Sequence, residues 1–250
     1  MTYLELCKHV HRLIRPGEGD PGTVPTAVTG QTGILGEIVY WVQRAWLDIQ
    51  NEEAEWGWAQ LSCSLSVTSA KRTYAMSEVT VAETTVTVEK CTPMKLRNGR
   101  PFGLIYLTSD GVGYQQPCFY VPYEDWRGYL DYGTRPSGRP QHFTCLPDRR
   151  LQFDPTPDAT YTFTCDFKAA PQTLSAGTDD PALFPATGRG LPAAYHDVIA
   201  WRAVKMYALT RQEASNLYDM ADREERRIME KMRREFLPAQ FLDEDLGDFA

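Results

Sequence analysis

Apolar and polar positions divide the chain into three stretches of different period. In residues 33–58, Leu35, Ile38, Val39, Val42, Trp46 and Ile49 recur at helical spacing, and Ile34, Tyr40, Trp41, Ala45 and Leu47 widen that face on both sides. Glu37, Arg44, Asp48 and Asn51 leave only a narrow polar strip, in which Arg44 and Asp48 stand four apart and can pair. The pattern predicts a helix beginning near Thr32 and buried nearly all round. Burying its six central side chains gives a gross term of about 9–18 kcal/mol at roughly 1.5–3 each, as large as a domain's net stability of about 5–15. Such a helix needs partners on more than one side: it is either a central core helix or one that also meets another subunit.

Upstream, Thr2 and Glu5 have capping-box spacing and Leu6, Val10, Leu13 and Ile14 share a face, which predicts a helix over Tyr3–Ile14 stopped by Pro16 and Gly17. From Leu61 to Leu191 the period changes to short alternating runs. Tyr161, Phe163, Cys165 and Phe167 alternate with polar residues over Thr160–Lys168, as do Leu61, Cys63, Leu65 and Val67, the mark of strands with one covered face. Val79 and Val81 are out of phase with Val86 and Val88, which predicts a bulge or turn near Glu83–Thr85. Asn98-Gly99 and Asp110-Gly111 read as hairpin-type turns, and Tyr123–Leu130 is the one helical candidate in this stretch. From Pro192 the helical period returns through Tyr195, Ile199 and Met206. A last helix, running to about Phe236, has a narrow seam of Leu217, Met220, Ala221, Ile228 and Met232. Its other faces carry Asp219–Arg223, Asp222–Arg226 and Glu230–Arg234, acid before base at i,i+4, so its arginines read as a solvated face.

Two helices, a block of strands and two more helices predict an α+β fold. A helical bundle domain (1–60 and 192–236) carries an inserted, mainly antiparallel β domain (61–191) and ends in a tail (237–250). The tail alternates acids with Phe241, Leu242, Leu246 and Phe249, the pattern of a segment that docks on a partner.

Charge sharpens this division. The net charge is −7, with 4 basic and 8 acidic groups in residues 1–60, 13 of each in 61–191, and 9 and 12 in 192–250. The neutral middle sits between two acidic ends, which suits ends that pack together and argues against a sequence-independent grip on nucleic acid. No apolar run approaches the roughly 18 residues of a membrane span, and the N-terminus is too interrupted for a signal peptide, so no membrane association is expected. The six cysteines form no C-x-x-C pair, which favours reduced, buried thiols and no zinc.

Common catalytic and nucleotide-binding signatures are absent, and neither a cofactor nor a metal is expected. His9 and His11 point about 200° apart round a helix and cannot chelate one ion. His142 reads as a lone loop histidine and His196 as a structural hydrogen-bonding residue in a first helical turn. Glu124, Asp125 and Asp131 are too ordinary to mark a glycosidase acid pair. Trp126, Tyr129 and Tyr132 offer a sugar-stacking alternative, a tail or baseplate β module recognising a host glycan. For the tryptophans as a set, Trp41, Trp46, Trp56, Trp58, Trp126 and Trp201, packing is the better account, since three of them fit helical core or helix-end positions.

Several pieces together carry a family resemblance: an N-terminal T-Y-L-E-L-C helix, a link ending T-G-Q-T-G, and I-V-Y-W-V-Q-R-A-W-x-D-I-Q with W-x-W beyond it. Gly138–Pro140, the L-x-F-x-P-x-P-D-x-x-Y-T run from Leu151 to Thr162, and L-P-x-x-Y-H-x-x-I from Leu191 to Ile199 extend the likeness over about residues 1–210. In this combination the chain resembles the head-to-tail adaptor (connector) proteins of tailed bacteriophages, though the link over Pro16–Gly33 and the acidic-aromatic tail depart from that pattern. The resemblance implies a structural virion protein without enzymatic activity, assembled in the host cytoplasm and placed in the virion neck. It further implies a homo-oligomeric ring, expected to be a dodecamer, beneath the portal protein and joined to a tail-side component, with double-stranded DNA passing through unbound. On that footing Phe236, Phe241, Leu242, Leu246 and Phe249 are the expected portal-binding residues. Tyr40, Trp41, Leu47, Arg223, Arg226 and Arg227 are the expected subunit-interface residues.

Overall fold

The computed structural model describes the chain except for residues 16–23, 54–55, 82–87, 96–100, 132–135, 184–189, 212–214 and 238–250. Helices α1 (Tyr3–Ile14) and α2 (Gly33–Glu52) come first. Strands β1 (Gln60–Val67), β2 (Thr73–Tyr74), β3 (Thr80–Val81), β4 (Val88–Thr92), β5 (Met94–Lys95), β6 (Pro101–Leu107) and β7 (Gln116–Tyr120) follow. A short helix α3 (Tyr123–Tyr129), strands β8 (His142–Cys145), β9 (Leu151–Asp154) and β10 (Tyr161–Ala169), and helices α4 (Asp197–Leu209) and α5 (Ser215–Phe236) complete the order of an α+β protein. The chain divides into two compact units, one built from residues 1–59 and 171–250, the other from 60–170.

In the helical unit the capping box forms as spaced: the Thr2 hydroxyl accepts from the Glu5 N–H and the Glu5 carboxylate accepts from the Thr2 N–H. Leu6, Cys7 and Val10 then face inward, fully buried. α2 starts at Gly33, whose φ of +57° is a left-handed conformation that favours glycine. Its buried face is Ile38, Val42, Ala45, Trp46, Ile49 and Gln50, and Arg44 pairs with Asp48 at 3.1 Å. Burial nearly all round is not what the single chain provides. Leu35, Val39, Trp41 and Leu47 are only partly covered and Tyr40 is 58 % exposed, because α1 and α4 pack on the other side of the helix. Beyond α2, the Trp58 ring stacks between Trp46 (centroids 5.7 Å apart) and Trp56 (6.1 Å). Gln50, buried, exchanges two 3.0 Å hydrogen bonds with the backbone of Gln172 and so ties segment 171–174 to α2. That segment, read in sequence with the strands, belongs to the helical unit. α5 buries Ala221, Ile228, Met229 and Met232 but leaves Met220, predicted in its seam, 43 % exposed.

The other unit is one mixed sheet in the order β2-β9-β8-β7-β6-β10-β1-β3, with β4 also pairing β10 and β5 pairing β6. Among the described residues every pairing is antiparallel except β7 with β8. β10 buries Tyr161, Phe163, Cys165 and Phe167 in alternation and runs in register with β1 from Gln60↔Lys168 to Val67↔Tyr161. Gly103 on β6 makes room for the Phe163 ring, since a Cβ there would lie 2.4 Å from it. Phe163 in turn meets Phe143 and Phe153 edge-on at 4.9 and 5.1 Å, which centres an aromatic core. The Asp110-Gly111 turn forms, with Gly111 at φ +79°, inside the connection between antiparallel β6 and β7. The bulge expected near Glu83–Thr85 and the Asn98-Gly99 turn lie outside the described residues.

Candidate docking surfaces

The α4–α5 contact is built around charge. Arg202 on α4 reaches Glu225 on α5 at 2.6 Å and also pairs with Glu52 of α2, while Lys205 meets Asp222 at 2.7 Å and Glu225 at 3.0 Å. Arg233 closes the set on Glu52 (2.8 Å) and Glu53 (2.9 Å). Spacing within α4 and α5 produces this. Arg202 and Lys205 are three apart, as are Asp222 and Glu225, so each pair shares one helix face. Burial opposes the charge on Arg202, but the Glu225 and Glu52 carboxylates outweigh it and hold the guanidinium's pKa above its usual value. Lys205 is raised in the same way against burial by Asp222 and Glu225, and Asp222 is lowered chiefly by its hydrogen bond from Lys205. These groups therefore stay ionised through the neutral range and act as a clamp between helices.

A second surface opens where α2 meets the end of α4. Gly36, Glu37, Tyr40, Trp41, Thr210 and Arg211 line a cleft of about 530 Å³, with the Tyr40 and Trp41 rings edge-to-face at 4.9 Å. Arg211 spans it, 3.0 Å from the Glu37 carboxylate and with its guanidinium carbon 5.5 Å from the Tyr207 ring centre. Leu209, beside it, is 70 % exposed. Glu37 and Arg211 are 174 residues apart in sequence, so local spacing gave no sign of the cleft.

The expected interface residues fall on two surfaces. Tyr40 and Trp41 share the cleft, and Leu47, half-buried, lies two turns further along α2. Arg223, Arg226 and Arg227 are exposed on α5, with Arg226 held by Asp222 at 2.9 Å and Arg227 by Glu224 at 2.7 Å. Of the expected portal-binding residues, Phe236 is half-buried and meets Tyr195 edge-on at 5.5 Å, which commits its ring within the helical unit. Phe241, Leu242, Leu246 and Phe249 lie outside the described residues.

The sugar-stacking platform does not assemble. Trp126 is fully buried beneath Arg72, whose guanidinium carbon stands 5.6 Å from its ring centre, and Tyr132 lies outside the described residues. Tyr129 is exposed, as are Val112 and Tyr114 on the β6–β7 connection, which the sequence did not single out. Asp131, one of the candidate acids, pairs with Arg72 at 3.3 Å. His142 sits in β8 rather than in a loop, because Phe143 beside it enters the aromatic core. His196 is fully buried, with Nδ1 2.7 Å from the Met1 amine and Nε2 2.9 Å from the Leu191 carbonyl, the hydrogen-bonding role expected of it. Cys7, Cys63, Cys91, Cys118 and Cys165 are buried, and burial pushes the Cys7 thiol up to about 12. Among the described residues no group of three or more His, Cys, Asp or Glu side chains is placed to hold a metal, and no helix is long and apolar enough to cross a membrane.

A clamp of paired charges thus joins α4 to α5, and an aromatic cleft stays open on the apolar helix α2. By comparison with family models, the chain belongs to the SU10 adaptor protein family, whose model matches residues 1–240, and it is thus a bacteriophage adaptor of the head-to-tail kind. No curated protein matches the chain.

Proposed function

We propose that the chain is a structural virion protein that assembles as a ring, of about twelve copies, beneath the portal and joins it to a tail-side component in the virion neck. The observation that carries this reading is the family match over residues 1–240. A closed ring gives each subunit two complementary faces to bury, and the partly uncovered flank of α2 at Tyr40, Trp41 and Leu47 supplies an apolar one. Arg223, Arg226 and Arg227 on α5 supply a charged one. The helical unit, drawn from both ends of the chain, supports a bundle domain that forms the ring, with the intervening segment 60–170 as an inserted β domain facing the tail or the neighbouring subunit. The net charge of −7 suits a channel through which DNA passes without sticking, since like charges repel. Portal contact is assigned to Phe241, Leu242, Leu246 and Phe249, with Phe236 as the packed root of the tail. No step of this function requires catalysis or a cofactor.

Sedimentation velocity of the purified chain, alone and mixed with the portal ring of the same source, tests the reading. The expected result is transfer of about twelve chains onto each portal. A chain that ignores the portal at micromolar concentration overturns the portal-facing role. A chain ending at Leu237 should fold and lose portal binding; equal binding would remove the tail from the contact.

A further inference from the structure

The cleft beside α2 joins two chemistries. Tyr40 and Trp41 give it an aromatic wall, and Arg211 gives it a charged one. Glu37 takes one N–H of the Arg211 guanidinium at 3.0 Å, and the Arg211 side chain is still 46 % exposed, so donors are left for a second carboxylate. A segment that fills the cleft therefore protrudes, carries exposed apolar side chains for the rings and carries an acid for the guanidinium.

Among the described residues, the exposed large apolar side chains away from this cleft are Val112, Tyr114, Tyr129, Leu183 and Met220. The acids beside Tyr129 and Leu183 are already engaged, Asp131 by Arg72 and Asp180 by the Ala182 N–H. Met220, next to Asp219, is a single apolar side chain on the flank of α5. Val112 and Tyr114, 63 % and 69 % exposed, instead stand together on the β6–β7 connection. The same turn holds Asp110, exposed, whose carboxylate accepts a 3.0 Å hydrogen bond from the Ser109 hydroxyl and is paired with no cation among the described residues. Gly111 and Gly113 flank Val112, and at neither does any atom lie within 4 Å of where a Cβ would stand, so the turn projects uncrowded.

We propose that this turn of one subunit enters the α2 cleft of the next copy of the same chain, with Val112 and Tyr114 against the Tyr40 and Trp41 rings and the Asp110 carboxylate on the Arg211 guanidinium. The contact names the partner of the Tyr40 surface in the proposed ring and so rests on that reading. It is heterologous, cleft to turn, so each subunit in a growing row keeps one unused cleft or turn at each end until the ring closes. The aromatic contacts carry the affinity. An exposed ion pair adds little to it, and Asp110–Arg211 serves to fix the register of the turn in the cleft.

The test is photo-crosslinking in the full chain with p-benzoylphenylalanine in place of Tyr114, mixed in equal parts with an isotopically heavy chain that lacks the probe. The mixture is irradiated on the portal ring and also alone at about 0.5 mM, where even a contact of millimolar Kd is populated. The expected product joins position 114 to a heavy peptide containing residues 36–41 or 207–211, because only a contact between copies links light to heavy. Rings on the portal with crosslinks that map elsewhere overturn the contact and leave the adaptor reading standing. Heavy-chain crosslinks to the cleft in the free chain, without rings on the portal, support the contact and overturn the portal-facing role. Crosslinks confined to light chains, or none in either sample, overturn the contact. The double variant Val112→Ser, Tyr114→Ser changes exposed positions and leaves the fold intact, and it should raise the concentration needed for assembly about tenfold or more; assembly at the wild-type concentration overturns the proposal.

Discussion

Buried inside the helical unit, the His196 ring is bonded at both nitrogens: Nδ1 accepts from the Met1 amine at 2.7 Å and Nε2–H donates to the Leu191 carbonyl at 2.9 Å. This arrangement uses the neutral ring, since a proton on Nδ1 would face the ammonium group. Burial lowers the pKa of His196, against the opposing pull of the Leu191 carbonyl and the Asp180 carboxylate 3.7 Å away. The unfolded chain therefore takes up this proton at a higher pH than the folded one. The stability it confers is complete above the unfolded value of about 6.5 and is lost as pH falls through the lower folded value. The urea midpoint should fall between pH 7.5 and 5.5, and the fall should be smaller in His196→Gln, whose amide makes both bonds without titrating. An equal fall in the two proteins would assign the effect elsewhere. Arg72 has a comparable position in the sheet unit. It donates to the Phe153 and Leu130 carbonyls, pairs with Asp131 and Asp154, and covers Trp126. Arg72→Met keeps the cover and removes the bonds, so a loss of about 1.5–3 kcal/mol is expected from the charge-assisted hydrogen bonds, read from the urea midpoint.

Between elements, the α4–α5 clamp turns on Glu225, which is 4 % exposed and is shared by Arg202 and Lys205. Glu225→Ala leaves two cations facing a buried gap, and breaking a buried pair from one side costs about 3–5 kcal/mol. Amide exchange in α5 should accelerate far more than in α1, whose contact with α4 does not use this carboxylate. The charges of α5 also mark the limit of what was legible in the sequence. The bounds of α1 could be read because Thr2, Glu5 and the apolar positions are local signals, and β10 because alternation is local too. The coverage of α2 could not, since periodicity tells which side chains are apolar and not how many of them a single chain can cover; Tyr40 is the result. Likewise Glu37–Arg211 and Arg202–Glu52 join residues 174 and 150 apart, and the parallel β7–β8 pairing depends on non-local register. The sequence singled out Tyr40 and Trp41, and the structure sets Arg211 beside them in one cleft, which local spacing does not show.

At the scale of the proposed ring, the uncovered part of α2 becomes a quantitative question. Fully burying a large apolar side chain yields about 1.5–3 kcal/mol, and Tyr40, 58 % exposed in the single chain, has roughly half of that still to gain. Tyr40→Glu forfeits this gain and places a charge beside Glu37, which already lines the same cleft. The fold should be indifferent, because the side chain points away from the buried face of Ile38, Val42, Ala45 and Trp46, and the urea midpoint should stay within error of wild type. Assembly should not be indifferent. Each 1.4 kcal/mol weakens one subunit contact about tenfold, and a closed ring repeats the same contact at every subunit, so a modest loss per contact becomes a large loss of rings. Sedimentation velocity in the presence of the portal should then show Tyr40→Glu as free chains under conditions where wild type is fully ring-bound, with Tyr40→Phe retaining the rings. Rings of Tyr40→Glu at the wild-type concentration would mean that the α2 cleft faces solvent in the neck, and would shift the subunit contact to the arginine face of α5.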